Sequence, residues 1–288
     1  MKFQNLFNEK KAFLIFGITN GIGKELYLQL KKLNVNIIGI YKDKKKLHNL
    51  KKIIINRKKN LLIQADISKE KDIIKIKKII KRNNFKIKYI INCASIIGKA
   101  GLIENAEINS WKKVINTNLL GVINIFKHFI KDLIKIKNSV FINFSGGGGT
   151  HCMPMFDAYA STKASITRIT ENISIVYKKN NICICAVSPG PVNTQMFNNI
   201  LSQGKKRLGH KVWKEMNRRK KNGGIDINIP TQFILNLLNI KNKSIFHGRT
   251  LSAVHDDLKK IIKNKYYVKK NNIFTIRRLD GTNQKKFF

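Results

Sequence analysis

Acidic side chains are scarce in this sequence. Asp and Glu together number 16 against 57 Lys and Arg, which leaves a formal charge of +41 over 288 residues. Two explanations stay open for that excess. Such a field attracts polyanions, but Lys, Ile and Asn recur everywhere and all three have A/T-rich codons, so a biased genome produces the same pattern. The lysines are spread over most helical stretches and no RNA-reading aromatic motif is present, so no specific nucleic-acid partner is expected. Cysteine is also rare. Cys93, Cys152, Cys183 and Cys185 show no metal-ligand spacing and imply no disulfide framework. Cys183 and Cys185 alternate in an apolar run and read as two buried small hydrophobes on one strand face. No run approaches the roughly 20 apolar residues of a membrane helix. Residues 1–11 lack the apolar core of a signal peptide, so the cytoplasm is the expected location. Repeats and Pro- or Ser-rich linkers are missing too.

What is present is an alternation. Hydrophobic residues make up 43% of the chain, enough to exclude wholesale disorder. Short apolar runs at 12–16, 36–41, 61–65, 89–92, 140–144, 182–187 and 250–253 are apolar on both parities, as strands covered on both faces are. Between them lie helix-length stretches at 22–33, 44–54, 69–82, 110–134, 158–179 and 230–238. This predicts an α/β fold: a doubly wound parallel sheet of about seven strands with helices on both faces, in one domain spanning 1–255. Residues 193–226 fit the alternation poorly and read either as a substrate lid or as a surface insertion. A C-terminal extension, 256–288, carries Tyr266, Tyr267, Phe274, Phe287 and Phe288, aromatics that suggest docking on the body or on a neighbouring subunit.

The first run ends in Gly17-Ile18-Thr19-Asn20-Gly21-Ile22-Gly23 and opens a helix. Glycines there let the backbone turn and approach a pyrophosphate, and the helix N-terminus offers free N–H groups and partial positive charge. Placed between the first strand and first helix, the motif predicts a dinucleotide site of Rossmann type. The second run ends Tyr41-Lys42-Asp43. Tyr41 stands where an acid would select NAD, Lys42 follows, and Asp43 comes late, so NADP(H) is favoured over NAD(H).

Further along, Tyr159 and Lys163 are four residues apart after a glycine-rich turn and share a helical face. An adjacent ammonium stabilises a phenolate, which brings a tyrosine toward general acid/base work. From Gly17 to these two residues the chain resembles the short-chain dehydrogenase/reductase family, over roughly residues 10–255. Asp66-Ile67 resembles the family's adenine-side segment. Asn92-Cys93-Ala94-Ser95 resembles its segment after strand four with two substitutions. Asn118 matches the asparagine that holds a proton-relay water, and Ser188-Pro189-Gly190-Pro191-Val192-Asn193-Thr194 matches the segment flanking the nicotinamide. The resemblance implies hydride transfer between the nicotinamide and a carbonyl or alcohol substrate. In it Tyr159 exchanges the proton, Lys163 also binds the ribose, and Asn118 completes the relay. It implies a homodimer or homotetramer as well.

The pattern breaks at the family's catalytic serine. Thirteen residues before Tyr159 stands Gly146, with Ser145 one step earlier in Ser145-Gly146-Gly147-Gly148-Gly149-Thr150-His151. One step along a strand turns a side chain to the opposite face. Ser145 serves only if the glycines bend the backbone; otherwise Thr150 or His151 replaces it, or glycine N–H groups hold the carbonyl. The Ser-Gly-Gly-Gly run, residues 248–257 and the segment Thr275-Ile276-Arg277-Arg278 resemble a variant subgroup of the family. The expected function is an oxidoreductase; the alternatives are an NADP-binding sensor or scaffold without turnover, and a polyanion-binding role resting on the charge.

Overall fold

The computed structural model describes residues 11–47 and 60–277. Seven strands run parallel in one sheet: β1 (Lys11–Phe16), β2 (Asn36–Tyr41), β3 (Asn60–Gln64), β4 (Lys86–Asn92), β5 (Ser139–Phe144), β6 (Ile182–Ser188) and β7 (Thr250–Ser252). Their spatial order is β3-β2-β1-β4-β5-β6-β7. All seven sequence-predicted strands are therefore found. The order reverses between β1 and β4, and the crevice outside the carboxyl ends of those two strands is where such a sheet takes a ligand.

Both faces of the sheet are covered because both parities of its strands are apolar. Phe13, Ile15, Tyr89, Ile91, Val140 and Ile142 pack on one side with α1 (Gly21–Lys32) and α8 (Asn228–Asn239). Leu14, Phe16, Ile38, Ile90, Phe141 and Ile184 pack on the other, beneath α2 (Glu70–Arg82), α4 (Gly121–Ile134) and α5 (Asp157–Val176). Each such side chain, fully withdrawn from water, contributes roughly 1.5–3 kcal/mol. Cys183 and Cys185 are buried together on the first of these faces.

Three expectations need correction. The single helix read at 110–134 is α3 (Ile108–Ile115), a five-residue π turn over Asn116–Leu120, and then α4. The stretch at 44–54 begins as a 3-10 turn, Lys45–Leu47, and otherwise lies outside the described residues. The polar insertion at 193–226 is helical, with α6 (Gln195–Leu201) and α7 (Gly204–Asn222), the latter kinked at Gly209. Beyond β7, α9 (Leu258–Lys263) and α10 (Lys265–Lys270) carry the chain back over the core. Of the tail aromatics, Phe274 packs against the core whereas Tyr266 and Tyr267 are exposed; Phe287 and Phe288 lie outside the described residues. Buried Glu171 fastens that tail, accepting from Ile276 N at 2.6 Å, Arg277 Nη1 at 3.0 Å and Arg168 Nη1 at 2.6 Å. Among the described residues no helix is long and apolar enough to cross a membrane.

Candidate active site

Gly17 leaves β1 with φ +82, and its amide donates to Ile40 O at 2.9 Å. A Cβ there would stand 2.9 Å from Ala94 N, so only glycine lets the loop lie against the end of β4. Asn92 turns its Oδ1 back to Ala94 N at 3.3 Å and holds that second wall. The third wall comes from the segment after β6. Thr194 sets its methyl 3.0 Å from where a Cβ of Gly21 would be, while Gly190 adopts φ +80 and Val192 is buried beside Ile225. Pro189 and Gly190 are half-buried at the crevice end of β6. The first turn of α1 carries no carboxylate, and Asn20 makes no side-chain cap bond, so its N–H donors face a phosphate without a competing anion. Thr19 is half-buried and Asn20 exposed; Ile22 packs on the core and Gly23 is buried. This cradle fits a dinucleotide pyrophosphate.

At the adenine side, Lys42 Nζ lies 2.7 Å from Asp66 Oδ2. Burial pushes the Asp66 carboxyl up, but the Lys42 ammonium together with the Ser68 hydroxyl and amide outweighs it and holds the group below the usual range. Tyr41 is half-buried at the end of β2. Asp43 turns away to accept from Lys45 N at 2.9 Å. The Ile67 side chain packs under Gly121 of α4, and its carbonyl accepts from Asn124, so it faces the core.

At the catalytic end, α5 presents Tyr159 and Lys163 on one face. Lys163 is buried, donates from Nζ to Phe144 O at 2.8 Å and stands 5.3 Å from the Tyr159 ring centroid. Burial pushes the Tyr159 hydroxyl up to about 12 and the Lys163 ammonium down to about 8. That corrects the expectation that the ammonium lowers the tyrosine: withdrawal from water dominates at both groups. Asn118 sits inside the π turn with both amide atoms in use. Its Oδ1 accepts from Ile96 N at 2.9 Å and Ser95 Oγ at 3.1 Å; its Nδ2 donates to Ile96 O at 2.8 Å and Thr162 Oγ1 at 3.2 Å. Thus Asn118 ties the loop after β4 to the helix bearing Tyr159.

Ser145 is fully buried, its hydroxyl has no partner among the described residues, and its Cβ lies 3.2 Å from where a Cβ of Gly149 would be. Gly146 is the residue that faces the tyrosine: a Cβ there would lie 3.2 Å from the Tyr159 hydroxyl. The expectation that Ser145 is bent into the site is therefore corrected, because its side chain is turned into the interior beside Gly149 while Gly146 faces Tyr159. Thr150 and His151 are both exposed and hydrogen-bond each other at 2.9 Å.

The family model described as short chain dehydrogenase matches residues 11–205. The chain belongs to the short-chain dehydrogenase family. Relatives include the NADPH-dependent pterin aldehyde reductase of Arabidopsis thaliana, 25% identical over 65% of this chain and 77% of that one. The 3-oxoacyl-acyl-carrier-protein reductase of Thermotoga maritima is 29% identical over 65% and 76%. Among solved structures, a short-chain dehydrogenase/reductase from Saccharomyces cerevisiae superposes with a TM-score of 0.76 at 21% identity, over 86% of this chain and 97% of that one. Members of the family bind a nicotinamide cofactor, and this short-chain dehydrogenase is an oxidoreductase of the alcohol–carbonyl couple.

Sequence reasoning missed part of the neighbourhood. Thr162, a partner of Asn118, was assigned no role, and neither was Ser95 at the end of the segment after strand four. The apolar side of α7 was hidden by charge, although Val212 and Met216 stand four residues apart beyond the kink at Gly209, a spacing that marks one helical face.

Proposed function

We propose that the protein is an NADPH-dependent carbonyl reductase in which the Tyr159 hydroxyl gives its proton to the substrate oxygen. The observation that carries this reading is the convergence of Tyr159, buried Lys163 and the bare backbone of Gly146. The bound nicotinamide supplies the hydride. Tyr159, with its proton held to about 12, is in the acid form that reduction requires at neutral pH. Lys163 places a positive charge beneath the phenol ring and favours the phenolate left after transfer. Asn118 holds the loop at Ile96 against α5 and so keeps Tyr159 in register; a water relay at its π turn is part of the same proposal. Where the family has a serine, N–H groups of the Gly146–Gly148 backbone take the second lone pair of the substrate oxygen.

The preference for NADPH rests on Lys42. Its exposed ammonium pairs with Asp66 and offsets a carboxylate that would repel a 2′-phosphate. Gly17, Thr19, Asn20, Gly21, Ile22 and Gly23 would cradle the pyrophosphate, with Ala94, Asn92, Pro189, Gly190, Val192 and Thr194 lining the nicotinamide side. Tyr41, Lys42, Asp66 and Ile67 would flank the adenosine, Ile67 through its backbone. Assembly as a dimer or tetramer is supported by Leu120 at the end of the π turn, Ile123 on α4, and Ile175 and Val176 on α5, all exposed; sedimentation velocity checks it.

The decisive assay follows NADPH absorbance against a panel of carbonyl compounds. Tyr159→Phe is expected to lower kcat by about 100- to 10,000-fold while calorimetry still records NADPH binding. If the wild type binds NADPH but consumes no carbonyl, and Tyr159→Phe changes nothing, the protein is a nucleotide sensor and the catalytic reading fails.

A further inference from the structure

The chain has five methionines, and all four beyond Met1 lie in one place. Met153 and Met155 precede α5, Met196 is on α6 and Met216 on α7; each packs, half-buried, against a third apolar cluster of Ile97, Ala100, Phe156, Ile200 and Leu208. Tyr159 and Trp213 join the same surface. Neither of the two large cores flanking the sheet contains a methionine. The chain builds its permanent interior from Ile, Leu, Val and Phe, and reserves the thioethers for the wall beside the acid/base tyrosine.

Thioethers differ from branched aliphatics in two ways. They are unbranched and polarisable, so the wall reshapes around what it meets, and their sulfurs favour aromatic ring edges. The side chains of the wall are themselves uncharged: four methionines, Val212, Trp213 and Tyr159. Two of the cations nearest to it are committed to protein acceptors. Arg219 donates to Val192 O at 2.7 Å and Asn193 Oδ1 at 3.0 Å and lies 4.4 Å from the Phe197 ring centroid; Arg207 binds Glu107 together with Lys99. Below, Gly147 leaves open space where a side chain would stand, so the floor next to Tyr159 is bare.

We propose that the substrate is an uncharged carbonyl compound bearing a planar ring system, gripped by Met153, Met155, Met196, Met216 and Trp213 while its oxygen meets Tyr159. This rests on the oxidoreductase reading above and adds the class of substrate. A ring edge against each sulfur strengthens binding by roughly twofold to tenfold per contact. Each hydroxyl of a sugar, buried without a partner on such a wall, weakens it by about tenfold or more.

The test compares kcat/KM, with NADPH, for 2-naphthaldehyde, decanal and a ketohexose. The naphthyl compound is expected to exceed decanal about tenfold and the sugar about 100-fold. Met196→Leu and Met216→Leu keep the apolar area and remove the sulfur, and should shrink the naphthaldehyde-to-decanal ratio. A sugar or a phosphorylated carbonyl as the best substrate, or a ratio unmoved by loss of sulfur, overturns the proposal. A second readout separates it from the reaction itself. In Tyr159→Phe, naphthaldehyde should quench tryptophan emission, and the quench should vanish when Trp213→Phe is added. Quenching without turnover of any carbonyl in the wild type defeats the reductase reading and keeps the ligand class; turnover without that quench defeats the ligand class alone.

Discussion

Gly146 shows how a single residue shapes the space in front of the Tyr159 hydroxyl. Its φ of +83 is a conformation that side chains rarely adopt, and a Cβ would crowd the tyrosine hydroxyl at 3.2 Å. Restoring the family's serine by Gly146→Ser should therefore cost about 1–2 kcal/mol in stability and lower kcat/KM; a variant that is more active with an unchanged melting temperature would refute this. Lys163 gives a pH dependence with a definite sign. Its ammonium is charged below about 8 and lost above, whereas Tyr159 keeps its proton to about 12. Carbonyl reduction should fall as pH rises through about 8, and a kcat/KM profile flat across that range shows the charge is not needed. At the cofactor end, Lys42→Glu should raise the KM for NADPH at least about tenfold relative to that for NADH, the worth of one charge-assisted hydrogen bond. At this scale Tyr159, Lys163 and the glycine turn were legible because each type of residue has one conformation or charge that the chemistry needs. The pKa of the tyrosine was not, since burial leaves no mark on a four-residue spacing.

Among the elements, the π turn Asn116–Leu120 was invisible in sequence: its residues suit a helix as well as those around it, and only the backbone register reveals the wider ring. Its consequence is testable. Asn118→Ala removes the partner of the Ile96 N–H and C=O, bonds that are part-buried, and should cost about 1–2 kcal/mol in urea unfolding. Asn118→Asp keeps the acceptor for Ile96 N and should cost less. Residues 193–226 fit the alternation poorly because they are long and polar and hold Gly223-Gly224; α6 and α7 form there nonetheless, with Gly204 and Gly209 at φ above +70 in α7 and exposed lysines along it. The charge describes the solvent side of that element and says nothing of what Leu208, Val212 and Met216 cover. The strands, by contrast, were found without exception. Both faces of a parallel sheet are buried, so their composition is unmixed.

For the whole molecule, the lack of carboxylates matters more than any one ion pair. With 57 cationic and 16 anionic side chains, self-repulsion opposes the compact state, and added salt screens it over about 10 Å at 0.1 M. The melting temperature should rise as NaCl goes from low millimolar to physiological strength. A fall would mean that pairs such as Lys77–Asp132 and Lys127–Glu70 outweigh the repulsion.

The order of the strands also reaches back to synthesis. β1 and its glycine turn leave the ribosome first, yet the wall at Ala94 follows nearly eighty residues later and the contact from Thr194 about a hundred after that. A nascent chain thus carries an incomplete cleft until Thr194 has emerged. Nucleotide can reward only a polypeptide in which all three walls are present, so it acts as a late check on this fold rather than as a seed for it.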